Sequence, residues 1–252
     1  MAGSTMDKRL AKLLEEALAH QKLFESSGYI VKDSYPILYF GDYENYLASK
    51  IKVVTVGLNP SKGEFPDENR FQRFPEIKSR KFSEYKDAYN NYFRTDKKRD
   101  PYIKWFDSYK KLLNGIECSY SDTEEFPNRA LHTDICSPLA TDPTWSSLPE
   151  DFKQELMIIG VPLWRELVKL LNPDVIICSF SKKIRDRIPF DLVEEWEEFP
   201  SKTKKDVMKA RINSDGSCLT ILWGRNNSIG PFCVSEKEDI GKRILKEVED
   251  NG

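Results

Sequence analysis

The sequence predicts an α/β fold built on a central, mainly parallel sheet. Short, nearly continuous apolar runs rich in β-branched residues alternate with longer stretches whose apolar residues recur at helical spacing. The strands lack an apolar/polar alternation, which marks them as covered on both faces, as parallel strands are. A chain of 252 residues with 39% hydrophobic and 12% aromatic content closes one sizeable core near the upper end of single-domain length. One domain over residues 6–252 is therefore expected.

The elements follow in order. Leu10, Leu13, Leu14, Ala17 and Leu18 give Asp7 to Phe24 an amphipathic helical pattern, and Gly28 stands where such a helix would stop. Residues 1–5 precede a second methionine, Met6, and read as a cloning scar outside the fold argument. After the apolar segment Ile37 to Phe40, the run Val53-Val54-Thr55-Val56 makes Ile51 to Val56 a buried strand ending at Gly57. Three comparable strands are Arg129 to Cys136, Asp174 to Phe180 and Cys218 to Trp223. Helical patterns fill Pro101 to Leu113, Pro149 to Leu171 and Glu236 to Val248. No repeat or low-complexity tract interrupts them.

Composition removes several classes of function. Lys+Arg (39) and Asp+Glu (41) nearly cancel, so the net charge of −2 offers no global argument for a polyanionic partner. Five cysteines, Cys118, Cys136, Cys178, Cys218 and Cys233, are odd in number and contain no C-x-x-C pair. They suit reduced core thiols better than a disulfide framework or a zinc or iron–sulfur site. There is no apolar run of about 18 residues and no signal-peptide core, so a soluble, cytoplasmic protein is expected. Neither G-x-G-x-x-G nor a P-loop occurs, which leaves an unrelated nucleotide-binding α/β fold without support.

In open α/β sheets ligands bind at the carboxyl ends of the strands, so the segments after Val56, Cys136, Phe180 and Trp223 are where chemistry is sought. The first reads Gly57-Leu58-Asn59-Pro60-Ser61, then Lys62-Gly63-Glu64-Phe65-Pro66 and Asn69-Arg70-Phe71. A strand ending in Gly-x-Asn-Pro-Gly/Ser, followed by an aromatic and then Asn-Arg-Phe, resembles the uracil-DNA glycosylase superfamily, nearest to its mismatch-specific, thymine-DNA-glycosylase-like branch. The similarity is dense only in the loops. It implies a three-layer α/β/α fold around a four-stranded sheet, and a pocket for a base flipped out of double-stranded DNA.

Cleaving a base from deoxyribose passes through an oxocarbenium-like sugar and needs a water on the face opposite the leaving base. An Asn amide carries a donor and an acceptor, so it orients water without being a strong base. By the resemblance, Asn59 positions that water, Phe65 stacks on the base beside Leu58, and Ser61 contacts DNA. From the residues alone, Gly57 and Pro60 are ordinary turn formers and Phe65 an ordinary core residue.

The segment Gly224-Arg225-Asn226-Asn227-Ser228-Ile229-Gly230-Pro231-Phe232 is similar to the superfamily's His-Pro-Ser or Asn-Pro-Ser loop, with Asn227 in place of proline and no histidine. On that mapping Asn226 assists the leaving group, Arg225 and Ser228 contact the DNA backbone, and Ile229 is the wedge that fills the vacated stack. A plain polar turn is the competing reading. In Leu131-His132-Thr133-Asp134-Ile135-Cys136, Asp134 stands where uracil-specific relatives carry an Asn that reads the uracil edge. An ionised carboxylate only accepts, which suits a base with an amino group, such as cytosine or a modified cytosine of phage type, better than uracil. Alternatively Asp134 caps the Ser-Pro turn that follows. His132 is one of two histidines, either a satisfied core side chain or a secondary base contact. Trp145 lines the groove or packs on the sheet.

Local basic clusters supply charge for phosphates: 78–81, 94–99, 202–205, and above all Lys182 and Lys183 at a strand's carboxyl end. The aromatic and basic insertion over residues 76–99 would add a wall for a larger base or for duplex recognition. The expected activity is that of a monofunctional DNA glycosylase leaving an abasic site, in repair or antiviral defence, needing no cofactor or metal, and with no lysine placed for a lyase step. The alternative is a catalytically silent DNA- or nucleotide-binding module of the same fold.

Overall fold

The computed structural model describes residues 2–94, 99, 101–121, 125–199, 207–214, 217–225 and 234–251. Over these the chain forms α1 (Ala2–Phe24), α2 (Tyr43–Ala48), β1 (Val53–Gly57), α3 (Phe82–Asn90), α4 (Ile103–Gly115), β2 (Cys118–Ser119), β3 (Asn128–Asp134), α5 (Glu150–Leu171), β4 (Val175–Phe180), α6 (Lys182–Arg185), β5 (Leu192–Glu198), β6 (Val207–Ser214), β7 (Ser217–Arg225) and α7 (Val234–Asn251). The class is α/β, and the sheet is mixed but mostly parallel. It has seven strands, in the order β2-β3-β1-β4-β7-β6-β5, not the expected four.

The four expected strands occupy the middle of that order. Val53 to Val56 pair in parallel with Val175 to Cys178, and β4 pairs in parallel with β7 from Val175↔Thr220 to Phe180↔Arg225. β1 and β4 are buried at every position, which is why an unbroken apolar run marks them. The additional strands carry no such signal. β2 is two residues long, while β5 and β6 form an antiparallel extension whose outer strand is mostly exposed.

Two compact units, each woven from three stretches of chain, make up the molecule. One comprises residues 42–56, 103–131 and 172–252. In its core Val53, Val175, Ile177 and Leu222 meet Leu112 and Leu113 of α4, Ile116 just after that helix, and Ile240 and Ile244 of α7. α4 and α7 approach to backbone contact: a Cβ on Gly115 would lie 2.3 Å from Glu238 O, and one on Gly241 2.2 Å from Leu112 O.

The other unit comprises residues 1–41, 57–102 and 132–171. Here α1 buries Leu10, Leu13, Leu14 and Ala17 as its spacing requires, and its helical backbone extends back to Ala2. His20, also buried on α1, packs edge-on to Phe24, and burial pushes its imidazole down to about 4. The segment Ile37 to Phe40 is not a strand. It lies against β3 and the chain that follows, with Phe40 exchanging two backbone bonds with His132 of β3 and Ile37 N–H donating to Pro138 O at 2.9 Å. The described part of the insertion, residues 76–94 and 99, supplies core: Tyr85, Tyr89 and Tyr92 are buried, and Arg99 pairs with Glu76 at 2.5 Å.

Among the described residues no helix is long and apolar enough to cross a membrane. Cys118, Cys136 and Cys178 are buried free thiols whose titration burial pushes upward, whereas Cys218 is exposed. Cys233 lies outside the described residues.

In most helix interiors Gly→Ala adds about 1 kcal/mol of stability. At Gly241 the methyl meets the α4 backbone, which cannot rotate away, so Gly241→Ala should instead cost roughly 1–3 kcal/mol, read as a lowered urea midpoint.

Candidate active site

The site begins where β1 and β3 end side by side in the sheet. Ile135 N–H donates to Gly57 O at 3.1 Å, and the amides of Cys136 and Ser137 converge on Leu58 O at 2.9 and 3.3 Å. This brings the two side chains at the end of β3 over the Gly57 backbone. A Cβ there would lie 2.6 Å from Asp134 Oδ1 and 3.1 Å from His132 Nε2. His132 Nε2 and Asp134 Oδ1 are 3.7 Å apart, and both residues are buried. Asp134 does not close the turn that follows. Ser137 does, its Oγ accepting from Leu139 N at 3.2 Å.

The next loop holds Asn59 by its amide nitrogen. Nδ2 donates to Leu139 O at 3.1 Å, to Pro60 O at 2.8 Å and to Thr141 Oγ1 at 3.0 Å. Two of those acceptors are carbonyl oxygens, against which Oδ1 could not sit, so the amide has one orientation. Oδ1 is left as the acceptor of a half-buried side chain, able to take a hydrogen from a water molecule. Ser61 bridges to Thr141, and its Oγ accepts from Gly63 N at 3.1 Å as the cap of a short 3-10 turn, Lys62–Glu64. Lys62 spans Asp67 and Asp142 at 3.1 and 3.0 Å. The whole loop is thus fastened to residues 139–142.

At the end of that turn stands a carboxyl group which sequence reasoning passed over. Glu64 is 4% exposed. Tyr92 Oη donates to its Oε2 at 2.5 Å, and Arg73 Nη1 lies 3.7 Å from the same oxygen. Arg73 also donates to Gly63 O and sits 5.5 Å from the centre of the Tyr102 ring, while Tyr102 N–H donates to Tyr92 Oη at 3.0 Å. Burial pushes the Glu64 carboxyl up to about 7; Tyr92 and Arg73 pull it back, and nearby Asp134 adds to the rise. The one signal for it in sequence was a carboxylate flanked by Gly63 and Phe65 within the loop that carries Asn59.

The remaining expectations divide. Leu58 is half-buried beside Asn59. Phe65 has no exposed surface: Phe74 stacks on it at 5.6 Å and Tyr35 meets it edge-on at 5.0 Å. A base can stack on Phe65 only if that cluster opens, so the core reading describes it. Trp145 is buried and packs. Exposed aromatic surface near this loop comes instead from Phe71 and Tyr102, at 37% and 39%. Lys182 and Lys183 are exposed on α6, in the other compact unit, where the α6 residue Arg185 covers the Trp223 ring at 4.3 Å. β7 ends at Arg225. The Arg225 side chain and all of Asn226, Ser228 and Ile229 lie outside the described residues.

A Glu held near 7 in the fold and at its ordinary 4.5 when unfolded binds its proton more tightly in the folded state. Its contribution to stability is complete below 4.5 and is lost as pH rises through 7. Glu64→Gln should remove that dependence and be the more stable protein at pH 8, by roughly 3 kcal/mol, measured by urea unfolding across the interval. Set against known proteins, the chain matches no family model and no curated protein sequence.

Proposed function

We propose that this protein is a monofunctional DNA glycosylase, which flips a base from double-stranded DNA, hydrolyses its N-glycosidic bond and leaves an abasic site. The observation that carries the reading is the Asn59 amide, with its nitrogen committed to Leu139 O and Thr141 Oγ1 and its oxygen left to accept. A water held on that oxygen is positioned but barely activated, which suits attack on an oxocarbenium-like sugar that needs placement more than nucleophilic strength. Asp134 and His132, lying over Gly57, are the groups for the edge of the base. Asp134 makes no bond to the following turn and is available as an acceptor, which favours a base bearing an amino group, such as a modified cytosine.

With this reading go the three-layer arrangement and roles in the DNA contact for Ser61, Lys182, Lys183, Arg225, Ser228 and Ile229, with Asn226 assisting the leaving group. Repair and antiviral defence both use such a site. One observation favours a second reading, a silent base-binding module: Phe65 offers no face to a flipped base.

Duplexes carrying uracil, mismatched thymine, cytosine or bulky 5-substituted cytosines, incubated with the protein and then treated with alkali, should break at the position of at least one modified cytosine. Asn59→Ala should slow single-turnover release by about 10²-fold or more while leaving binding of the duplex intact. Tight binding without breakage identifies the silent module. If no duplex is broken and none is bound, both readings are wrong.

A further inference from the structure

Placing water leaves half of the hydrolysis unassisted, because the departing base must also carry away an electron pair. A base whose free ring N–H is acidic leaves readily as its anion. The corresponding N–H of an aminopyrimidine is much less acidic, so its anion is a poor leaving group unless a ring nitrogen or carbonyl oxygen is protonated as the bond breaks.

We infer that Glu64 is the general acid of this site and gives its proton to the departing base, a role that rests on the glycosylase reading. The geometry leads to it. Tyr92 and Arg73 both act on Oε2, and no partner among the described residues acts on Oε1. The acidic hydrogen therefore belongs on Oε1, the oxygen with bonding capacity left. The groups facing Glu64 are Tyr92 from the chain after α3, Arg73 from the loop before it, and Asp134 at the end of β3 with His132 behind. Arg73 and Tyr92 stand ready to stabilise the carboxylate once the proton has gone. Burial keeps the proton on Glu64 to about pH 7, where an acid is most useful in neutral solution. Glu64 and Asn59 also issue from one short loop, so a single backbone unit carries both the proton donor and the water holder.

The step balances. The bond from C1′ to the base breaks with its electrons passing to the ring nitrogen, and the Glu64 proton moves to an acceptor atom of the base. The water on Asn59 forms the new bond from oxygen to C1′ and sheds a proton, which returns to Glu64 through solvent. One water is consumed, and base and sugar depart with its elements.

Two measurements test this. In wild-type protein with ¹³C-carboxyl glutamate, the Glu64 resonance, identified by its loss in Glu64→Gln, should titrate near 7; a midpoint near 4.5 overturns the proposal whatever the activity. Single-turnover release is then followed from duplexes carrying cytosine, 5-hydroxymethylcytosine or uracil between pH 5 and 9. Release of the aminopyrimidine should fall tenfold per unit above pH 7. In Glu64→Gln it should be slowed about 10²-fold or more and lose that limb, while any release of uracil is nearly unchanged. A Gln variant that slows both kinds of base equally, slows neither, or keeps the alkaline limb removes Glu64 as the acid and leaves the glycosylase reading standing. If wild type releases no base from any duplex, that reading falls and this inference with it.

Discussion

Between the backbone of Gly57 and the carboxylate of Asp134 there is room for a hydrogen atom and nothing larger, since a Cβ would stand 2.6 Å from Oδ1. Much of the site depends on that approach. Because β1 ends in a residue without a side chain, His132 and Asp134 can lie flat across it, and the amides of Ile135 and Cys136 can reach the carbonyls of Gly57 and Leu58. Those bonds carry the chain after β3 alongside the loop after β1. There Leu139 and Thr141 are in place to hold the Asn59 amide. A slip in the pairing of these two strands would turn their side chains to the other face and dissolve every one of these contacts together.

The electrostatics of this region are local in a way that totals conceal. A formal charge of −2 over 252 residues describes a nearly neutral molecule, yet Glu64, Arg73, His132 and Asp134 are gathered with Tyr92 in a small, largely buried space. Burying ionisable groups costs folding free energy unless each is paired or changes its protonation. Here both devices are used, since Arg73 has Gly63 O and the Tyr102 ring while Glu64 holds its proton to higher pH. Such an arrangement is hard to account for as a device for stability alone, and perturbed titration in a cluster of this kind is a common mark of chemistry.

What could be read in the chain follows from how burial writes itself into sequence. β1 and β4 are covered on both faces and announce themselves as apolar runs, while β3 and β7 are mostly buried and carry shorter ones, Ala130-Leu131 and Ile221-Leu222-Trp223. β5, with Glu194, Glu195, Glu197 and Glu198, is composed like a loop and gains its strand character only from pairing with β6. Asn59 was legible because its neighbours form a recognisable turn after a strand. Glu64 was not, because its burial depends on Arg73 and Tyr92, partners that no local periodicity connects to it. Phe65 was ambiguous for a simpler reason: an aromatic ring that stacks on a base and one that stacks on Phe74 are written with the same letter.

The seven-stranded sheet also has two ends, and they are finished differently. At one, β2 is only two residues long, too short to template a further strand. At the other, β5 is of ordinary length with an exposed Val193, and no strand among the described residues pairs with its outer edge, the kind of edge that can template another chain. Its run of glutamates answers this, because any strand of like sequence brought alongside would set carboxylates against carboxylates in water. The acidity of β5 is thus the selvedge of the sheet, a border whose composition discourages edge-to-edge pairing between like strands.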